Sequence, residues 1–316
     1  MSVRPVMIGL GELLWDILPS GRVLGGAPAN FAYMTQILGN QGIVASRVGD
    51  DELGLEAIRA IEEHGMESRY LQLDRAHRTG TASVMIESDG QPQFTIAESV
   101  AWDFLEWTSG WEELSSRAEV VCFGSLAQRS SVSAAVVERF LRNTPATTLC
   151  ICDANLREPF YTIETLRKSF QFADVLKLNE TELVRATALL GISGRDEEEL
   201  ATGMLREFDL ELVCLTRGRG GSLMVSEEMT IGHVGVRVEV ADAVGAGDAF
   251  TACVAHYYLQ NRALEEISNA ANNLAAWVAT QAGATPAISR SQLEAILDVR
   301  PDEPEEPGMD AKAQMG

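Results

Sequence analysis

The sequence is short of positive charge and of histidine. Lysine and arginine total 25 against 46 aspartates and glutamates, for a formal charge of −21, and there are 4 histidines. A surface of that sign repels phosphate backbones and anionic lipid, so nucleic acid and acidic membranes are not expected as partners. An anionic ligand would need a local anion site, which gives weight to any glycine-rich turn at a helix start. No run approaches the ~18 consecutive apolar residues of a membrane-spanning helix, and the start, MSVRPVMIGLGE, lacks the apolar stretch of a signal peptide. A cytoplasmic location is therefore expected. The five cysteines, Cys122, Cys150, Cys152, Cys214 and Cys253, show no CxxC spacing and no paired histidines nearby. They read as reduced core residues rather than disulfides or metal ligands. No GxxxxGK[ST] stretch occurs, which excludes a P-loop. Gly9-Leu10-Gly11 opens like a dinucleotide fingerprint, but Leu14 stands where the third glycine belongs and no helix follows.

What is present is the composition of a globular protein, with 46% hydrophobic and 22% charged residues in 316. Apolar runs of strand length at 6–10, 43–48, 120–123, 149–152, 175–178 and 212–216 alternate with helical patterns at 29–38, 53–64, 132–141, 180–190, 246–259 and 264–281. This rhythm predicts an α/β fold, a mostly parallel sheet covered by helices on both faces, with ligands beyond the carboxyl ends of the strands. Residues 13–24 and 81–98 break the rhythm with short strands and turn signals but no helix, and are read as a small β-structured lid; edge strands of the main sheet are the alternative. Residues 1–300 are expected to form one domain. The tail 301–316 is rich in proline and acid and poor in large apolar groups, the composition of a disordered segment.

The strongest local signal is Asp242-Ala243-Val244-Gly245-Ala246-Gly247-Asp248-Ala249-Phe250, which follows an alternating segment at 234–240 and opens an apolar helix. Small residues at a strand-to-helix turn let backbone N–H groups face an anion, and the helix dipole favours negative charge there. Asp248 in the first turn could merely complement the dipole. The glycines flanking Ala246, however, cost backbone entropy unless close approach or unusual dihedrals are needed. A carboxylate beside an anion hole suits phosphoryl transfer, with the acid taking a proton from an attacking hydroxyl. The second signal is Leu24-Gly25-Gly26-Ala27-Pro28-Ala29-Asn30-Phe31, a glycine turn entering a helix with proline near its start. Gly26 and Asn30 could contact polyol hydroxyls, although a plain helix start reads the same way. Asp16 adds a carboxylate able to accept two hydroxyls, next to Trp15, whose indole could shield a site.

Together GGAPAN and DAVGAGDAF resemble the two signatures of the ribokinase-like sugar kinases, the phosphofructokinase-B family. Between them, Asn179-Glu180-Thr181-Glu182 is similar to that family's NxxE motif, and Thr216-Arg217-Gly218-Arg219-Gly220-Gly221 to its TxGxxG nucleotide turn. The resemblance runs in the same order from residue 6 to about 298. It implies a three-layer α/β/α sandwich with a β-sheet lid, and an ATP-dependent kinase using Mg2+. In that reading Gly245, Ala246 and Gly247 form the anion hole and Asp248 is the base. Asp16, Gly26 and Asn30 hold the sugar. Asn179 and Glu182 support magnesium and phosphate, Glu182 through water. Thr216, Gly218 and Gly221 line the nucleotide site, with Asn273 beside the adenine. Asp242 and the Val244 carbonyl lie where members of the family often bind a monovalent cation such as K+.

LGGAPANFA, Asp153-Ala154-Asn155-Leu156-Arg157 and Ala101-Trp102-Asp103 are most similar to bacterial fructokinases, which implies D-fructose as acceptor. Arg157 then reaches phosphate or sugar; a surface salt bridge is its ordinary alternative. Ala243 stands where the family commonly has threonine, and Met34 where many fructokinases have histidine. Ribose, 2-keto-3-deoxygluconate or a nucleoside remain rival acceptors, and a sugar-binding regulator without catalysis is the reading from another class. Apolar lid residues, including Val84, Ile86, Phe94 and Ile96, would be poorly covered in a monomer, which points to a homodimer through the lid.

Overall fold

The computed structural model describes residues 4–18, 21–86 and 92–299, and the side chains at 84–94 are not among those described. The expected disordered tail and the side chains of Val84, Ile86 and Phe94 thus lie outside the described residues.

Nine strands form the main sheet: β1 (Val6–Leu10), β4 (Gln41–Gly49), β5 (Leu71–Asp74), β8 (Val120–Phe123), β9 (Leu149–Asp153), β10 (Val175–Asn179), β11 (Leu212–Thr216), β12 (Ser222–Ser226) and β13 (Thr230–His233). In space they run β13-β12-β11-β10-β9-β8-β1-β4-β5. All pairs from β11 to β5 are parallel, and β12 and β13 add an antiparallel edge. The chain first builds outward from β1 through β4 to β5, then returns to the other side of β1 and builds through β8 to β11. That reversal opens a crevice at the carboxyl ends of β1 and β8, the place where such sheets bind ligands.

Burial on both faces explains the near-continuous apolar strands. Ile8, Leu10, Cys150 and Cys152 face a core made with α3 (Ser109–Ser116), α4 (Ser131–Arg142), α5 (Ile163–Gln171), α6 (Glu180–Leu190) and α7 (Glu197–Phe208). Met7, Leu149 and Ile151 alternate to the opposite core, closed by α1 (Ala27–Ile37), α2 (Glu52–Glu63), α8 (Ala246–Tyr258), α9 (Leu264–Ala279) and α10 (Arg290–Leu297). All five cysteines are free and buried in these layers. Among the described residues no helix is long and apolar enough to cross a membrane.

The segments that break the rhythm form a sheet of their own. β2 (Leu14–Leu18), β3 (Gly21–Gly25), β6 (Gly80–Ile86) and β7 (Pro92–Ile96) are ordered β3-β2-β6-β7, two hairpins joined by a parallel β2–β6 pair. They are therefore not edge strands of the main sheet. Opposed residues share a face, so Asp16, Val23, Ala82 and Ile96 line one side while Trp15 takes the other. Trp15 does not shield the Asp16 side as expected. It is buried and donates its indole N–H to the Leu53 carbonyl at 2.9 Å, and Arg22 pairs with Glu56, so β2 and β3 are tied to α2. Ile96 is likewise covered within the chain, packed against the core beneath α3 and α4.

The segment 234–240 is not a strand. β13 ends at His233 and Val234 is 83% exposed, so the alternation there belongs to an open connection leading to α8. Alternating valines mark an extended chain whether or not a neighbouring strand supplies hydrogen bonds.

Candidate functional site

The start of α8 stands open. Gly245 precedes the helix at φ 80°, and no side chain caps its first turn. A Cβ on Gly245 would lie 2.6 Å from the Ala284 Cα, so the turn needs glycine for both dihedral and space. A Cβ on Gly247 would sit 3.0 Å from the Lys177 ammonium nitrogen. The glycine turn therefore rests directly against a buried cation from β10.

Lys177 is held by Asp153 at 3.0 Å, and the second Asp153 oxygen accepts from the Thr251 hydroxyl of α8 at 2.9 Å. Burial works against the ammonium charge, but Asp153, Glu182 and Asp248 together outweigh it and drive the Lys177 pKa upward. The cation is thus permanent, fixed by a carboxylate on one side and pressed against the turn on the other. Asp153 entered the sequence reading only as the first residue of the stretch that carries Arg157, with no role of its own, and Lys177 was not singled out. The available signal was a lysine inside the apolar strand Val175-Leu176-Lys177-Leu178, since lysine is almost never buried without a partner and a purpose.

Asp248 accepts a 2.8 Å hydrogen bond from the Asn30 amide of α1, so the two glycine signatures, 218 residues apart, meet at one carboxylate. Burial pushes its pKa up to about 6 and Asp153 adds to the rise, while Asn30, Lys177 and Arg157 pull against it. A carboxyl poised near neutrality, with most of its surroundings already dry, has the affinity a general base needs.

On the lid side, a Cβ on Gly25 would come within 2.3 Å of the Asp16 carboxylate, so glycine leaves the space into which that carboxylate leans. Gly26, at φ 114°, approaches the Glu12 carbonyl so closely that a Cβ would lie 2.5 Å from it. Burial raises the Asp16 pKa, Arg157 lowers it and Asp242 raises it, so the lid carboxylate feels both Arg157 and the α8 turn. Gly9 has a packing role: a Cβ there would collide with the Pro28 carbonyl at 1.9 Å, so the Gly9-Leu10-Gly11 stretch serves the docking of α1 on β1.

A cavity of about 330 Å³ opens beside this cluster, lined by Arg157, Asn179, Glu182, Arg185, Thr216 and Gly218 among others. Arg157 is exposed and makes no ion pair among the described residues. The Asn179 motif has a local meaning that its spacing concealed. The Asn179 side chain accepts from Glu182 N at 2.9 Å, and Glu182 accepts from Asn179 N at 2.9 Å, a reciprocal capping box at the start of α6. The other Glu182 oxygen accepts from Leu156 N at 2.9 Å, tying the loop that carries Arg157 to α6.

Two residues predicted for the nucleotide site, Asn273 and Gly221, do not line this cavity. Asn273 donates its amide to the Val299 carbonyl at 2.7 Å, a contact between α9 and the segment that follows α10. Gly221 is required where the 233–235 backbone crosses it, since a Cβ would lie 2.1 Å from the His233 carbonyl. Asp242 uses both oxygens on the backbone, accepting from Val244 N at 3.0 Å and Gly283 N at 3.2 Å, while Val244 is exposed. A second cavity of about 320 Å³, between α4 and α5 and lined by Gln128, Arg129, Lys168 and Ser169, contains none of the predicted residues.

An open helix start, a buried lysine, an exposed arginine and a carboxylate near neutrality form a site for a group-transfer enzyme acting on a polyanion. The chain belongs to the pfkB family of carbohydrate kinases, whose pattern matches residues 21–290. It is 32% identical to a fructokinase of Escherichia coli over 261 residues, covering 77% of this chain and 81% of that protein. Its fold is similar to that of a Xylella fastidiosa fructokinase solved with bound ATP, at a TM-score of 0.81 and 22% identity over 93% of this chain and 98% of the other. A Vibrio cholerae O395 fructokinase solved with fructose, ADP and calcium ion superposes with a TM-score of 0.79 at 24% identity, covering 94% of this chain and all (100%) of that one.

Proposed function

We propose that this protein transfers the γ-phosphoryl group of ATP to a hydroxyl of D-fructose. The observation that carries the reading is Asp248, a carboxyl with a pKa near 6 at an uncapped helix start, backed by Lys177 and facing the side of the molecule that holds Arg157. In this mechanism Asp248 takes the proton of the acceptor hydroxyl as its oxygen bonds to phosphorus. The amides of Gly245, Ala246 and Gly247 stabilise charge on the phosphoryl oxygens while the bond to the departing ADP oxygen breaks. Asn30 orients the base through its 2.8 Å hydrogen bond. Asp16, Gly26, Asn30 and Arg157 bind the sugar, with Arg157 also within reach of phosphate.

The cavity beside α6 suits a triphosphate because its walls supply an unpaired guanidinium and small residues at Thr216 and Gly218. Asn179, Thr216 and Gly218 would line the nucleotide, whereas the contacts made by Asn273 and Gly221 serve the scaffold. Magnesium, which keeps most of its waters, would be supported through water by Glu182, and when bound it screens the charge of the transferred group. Among the described residues no group of three or more acids, histidines or cysteines stands close enough to hold a metal ion. A monovalent cation at Asp242 and the Val244 carbonyl would share the carboxylate with two backbone N–H groups.

The lid sheet closes over the sugar to exclude water, and a homodimer through the lid would cover the exposed Val23 on its Asp16 face. A cytoplasmic location accords with ATP as donor. Fructose is favoured among acceptors by the 32% identity to the Escherichia coli fructokinase. A panel of acceptors in an ADP-release assay tests the reading. Fructose should give the highest kcat/KM; ribose, a ketodeoxy acid or a nucleoside in first place would replace the acceptor, and no turnover with any of them would revive the regulator.

A further inference from the structure

The first turn of α8 is gripped from two sides at one residue. Lys177 Nζ stands 3.0 Å from where a Cβ of Gly247 would be, and the Thr251 hydroxyl, one turn further on, reaches the Gly247 carbonyl at 3.0 Å. Both grips lead to one carboxylate. Asp153 Oδ1 accepts from Lys177 Nζ at 3.0 Å, and Asp153 Oδ2 accepts from the Thr251 hydroxyl at 2.9 Å. Gly247 belongs to the glycine turn and immediately precedes Asp248. Asp153 thus joins β9 and β10 to the residue that separates the phosphoryl site from the base.

Strand alternation brings these charges together. Asp153 and Lys177 lie opposite one another in the register of β9 and β10, and each is two residues beyond a neighbour, Ile151 or Val175, that packs in the layer beneath α8. Asp153, Lys177 and Thr251 are all buried. A buried ion pair adds little net stability, because taking both charges out of water offsets their attraction, and apolar residues of similar volume pack as well or better. Stability alone therefore leaves the pair unexplained. The transfer step, by contrast, needs a rigid turn and a fixed charge beside its base. With the sugar-kinase reading as its premise, we propose that Asp153 is a positioning residue for phosphoryl transfer: it clamps the first turn of α8 through Thr251 and Lys177 and, with Lys177, sets the field in which Asp248 works. In this role it acts through its neighbours and not on the sugar or the phosphate.

The groups facing Asp248 come from every element around it: Asp153 on β9 and Arg157 just after it, Lys177 on β10, Glu12 after β1, the buried Cys122 thiol on β8 and the neutral Asn30 amide on α1. Burial is the main cause of the raised Asp248 pKa; Asp153 raises it further and Lys177 lowers it. Neutralising one or the other should move Asp248 in opposite directions, which the loss of a purely structural contact would not do. Burial also pushes Glu12 up to about 7, so its titration has to be told apart from that of Asp248.

The test is the pH profile of kcat/KM for D-fructose at saturating MgATP, with thermal melts to establish folding. In wild type the acid limb should lie near pH 6, and Glu12→Gln should leave it there. The isosteric Asp153→Asn should lower its midpoint by about one pH unit, and Lys177→Met should raise it by about as much. Thr251→Val keeps both charges but cuts the clamp, so kcat should fall about 10-fold with the limb unmoved and both KM values within about 2-fold of wild type. Where Lys177→Met fails to fold, the double variant Asp153→Asn/Lys177→Met, which leaves no charge unpaired, takes its place; its midpoint should return towards wild type while kcat stays low. An unmoved limb in folded Asp153→Asn, a limb lost in Glu12→Gln, or wild-type kcat in both Thr251→Val and the double variant overturns the proposal. Absence of turnover in wild type with any acceptor would instead reject the kinase reading, so the two failures are distinct.

Discussion

The helices α6 and α8 both begin at the candidate site, and each carries an acid three residues after its cap, Glu182 after Asn179 and Asp248 after Gly245. In α6 the acid folds back. It accepts the amide of its own cap while Asn179 returns the favour, and the helix start satisfies itself. In α8 the cap is a glycine with no side chain to offer, and the acid is held instead by Asn30 from another helix. Closed and open, the two ends show that the residue type at a helix start says little until its partner is known. A carboxylate that caps its own helix is bound first into the scaffold. The same carboxylate left facing a distant amide, with free helix N–H groups beside it, is available for chemistry.

The largest test of that contrast is Asp248→Asn, which keeps size and most hydrogen bonding but cannot take a proton. It should lower kcat by about 10²–10⁴ with both KM values nearly unchanged, measured by steady-state ADP release. A folded variant with near wild-type kcat would place Asp248 with Glu182 as scaffold. Next in size, Asp16→Ala removes an acceptor of two hydroxyls on the lid side and should cost about 2–4 kcal/mol of sugar binding, read as a rise in sugar KM far above any change in ATP KM. Equal rises in both would move Asp16 out of the sugar pocket.

Glu182→Gln should behave in the opposite sense to Asp248→Asn. It weakens two backbone contacts and the capping box, so denaturant melts should show a loss of about 1–3 kcal/mol, together with a higher magnesium requirement. A thermodynamically silent Glu182→Gln would break the comparison from the other end. The smallest effect concerns the stability that Asp248 sacrifices. Its folded-state pKa, about 6, lies above the ordinary 3.8, so the folded state binds the proton more tightly and stability falls as pH rises from about 4 through 6. Asp248→Asn escapes that loss. It should be more stable than wild type at pH 8 by about 1 kcal/mol after allowing for solvent at the site, roughly 2 °C in Tm, and no more stable at pH 4.

Much of this was legible in the residues because it depends on short-range rules. Apolar runs of strand length marked six of the main-sheet strands, since a strand buried on both faces must be apolar throughout. The glycine turns at 25–26 and 245–247 marked the two helix starts that meet at the site, because at Gly26 and Gly245 only a glycine tolerates both the dihedrals and the contacts found there. Short elements such as β5, α3 and α10 went unread, their patterns being too brief to separate from loops, and the connection at 234–240 imitated a strand.

What the sequence by itself determined, then, was the order of strands and helices, the two glycine turns and the acid placed just inside α8, all set by dihedral preference and apolar periodicity within a few residues. Only the tertiary structure decided that Asn30 meets Asp248, that Lys177 is pinned by Asp153 against Gly247, and that Glu182 spends its carboxylate on Leu156 and Asn179. The reason is physical. A side chain's proton affinity and its hydrogen-bond partners depend on which charges and amides stand within a few ångströms, and here those groups come from elements up to 218 residues away.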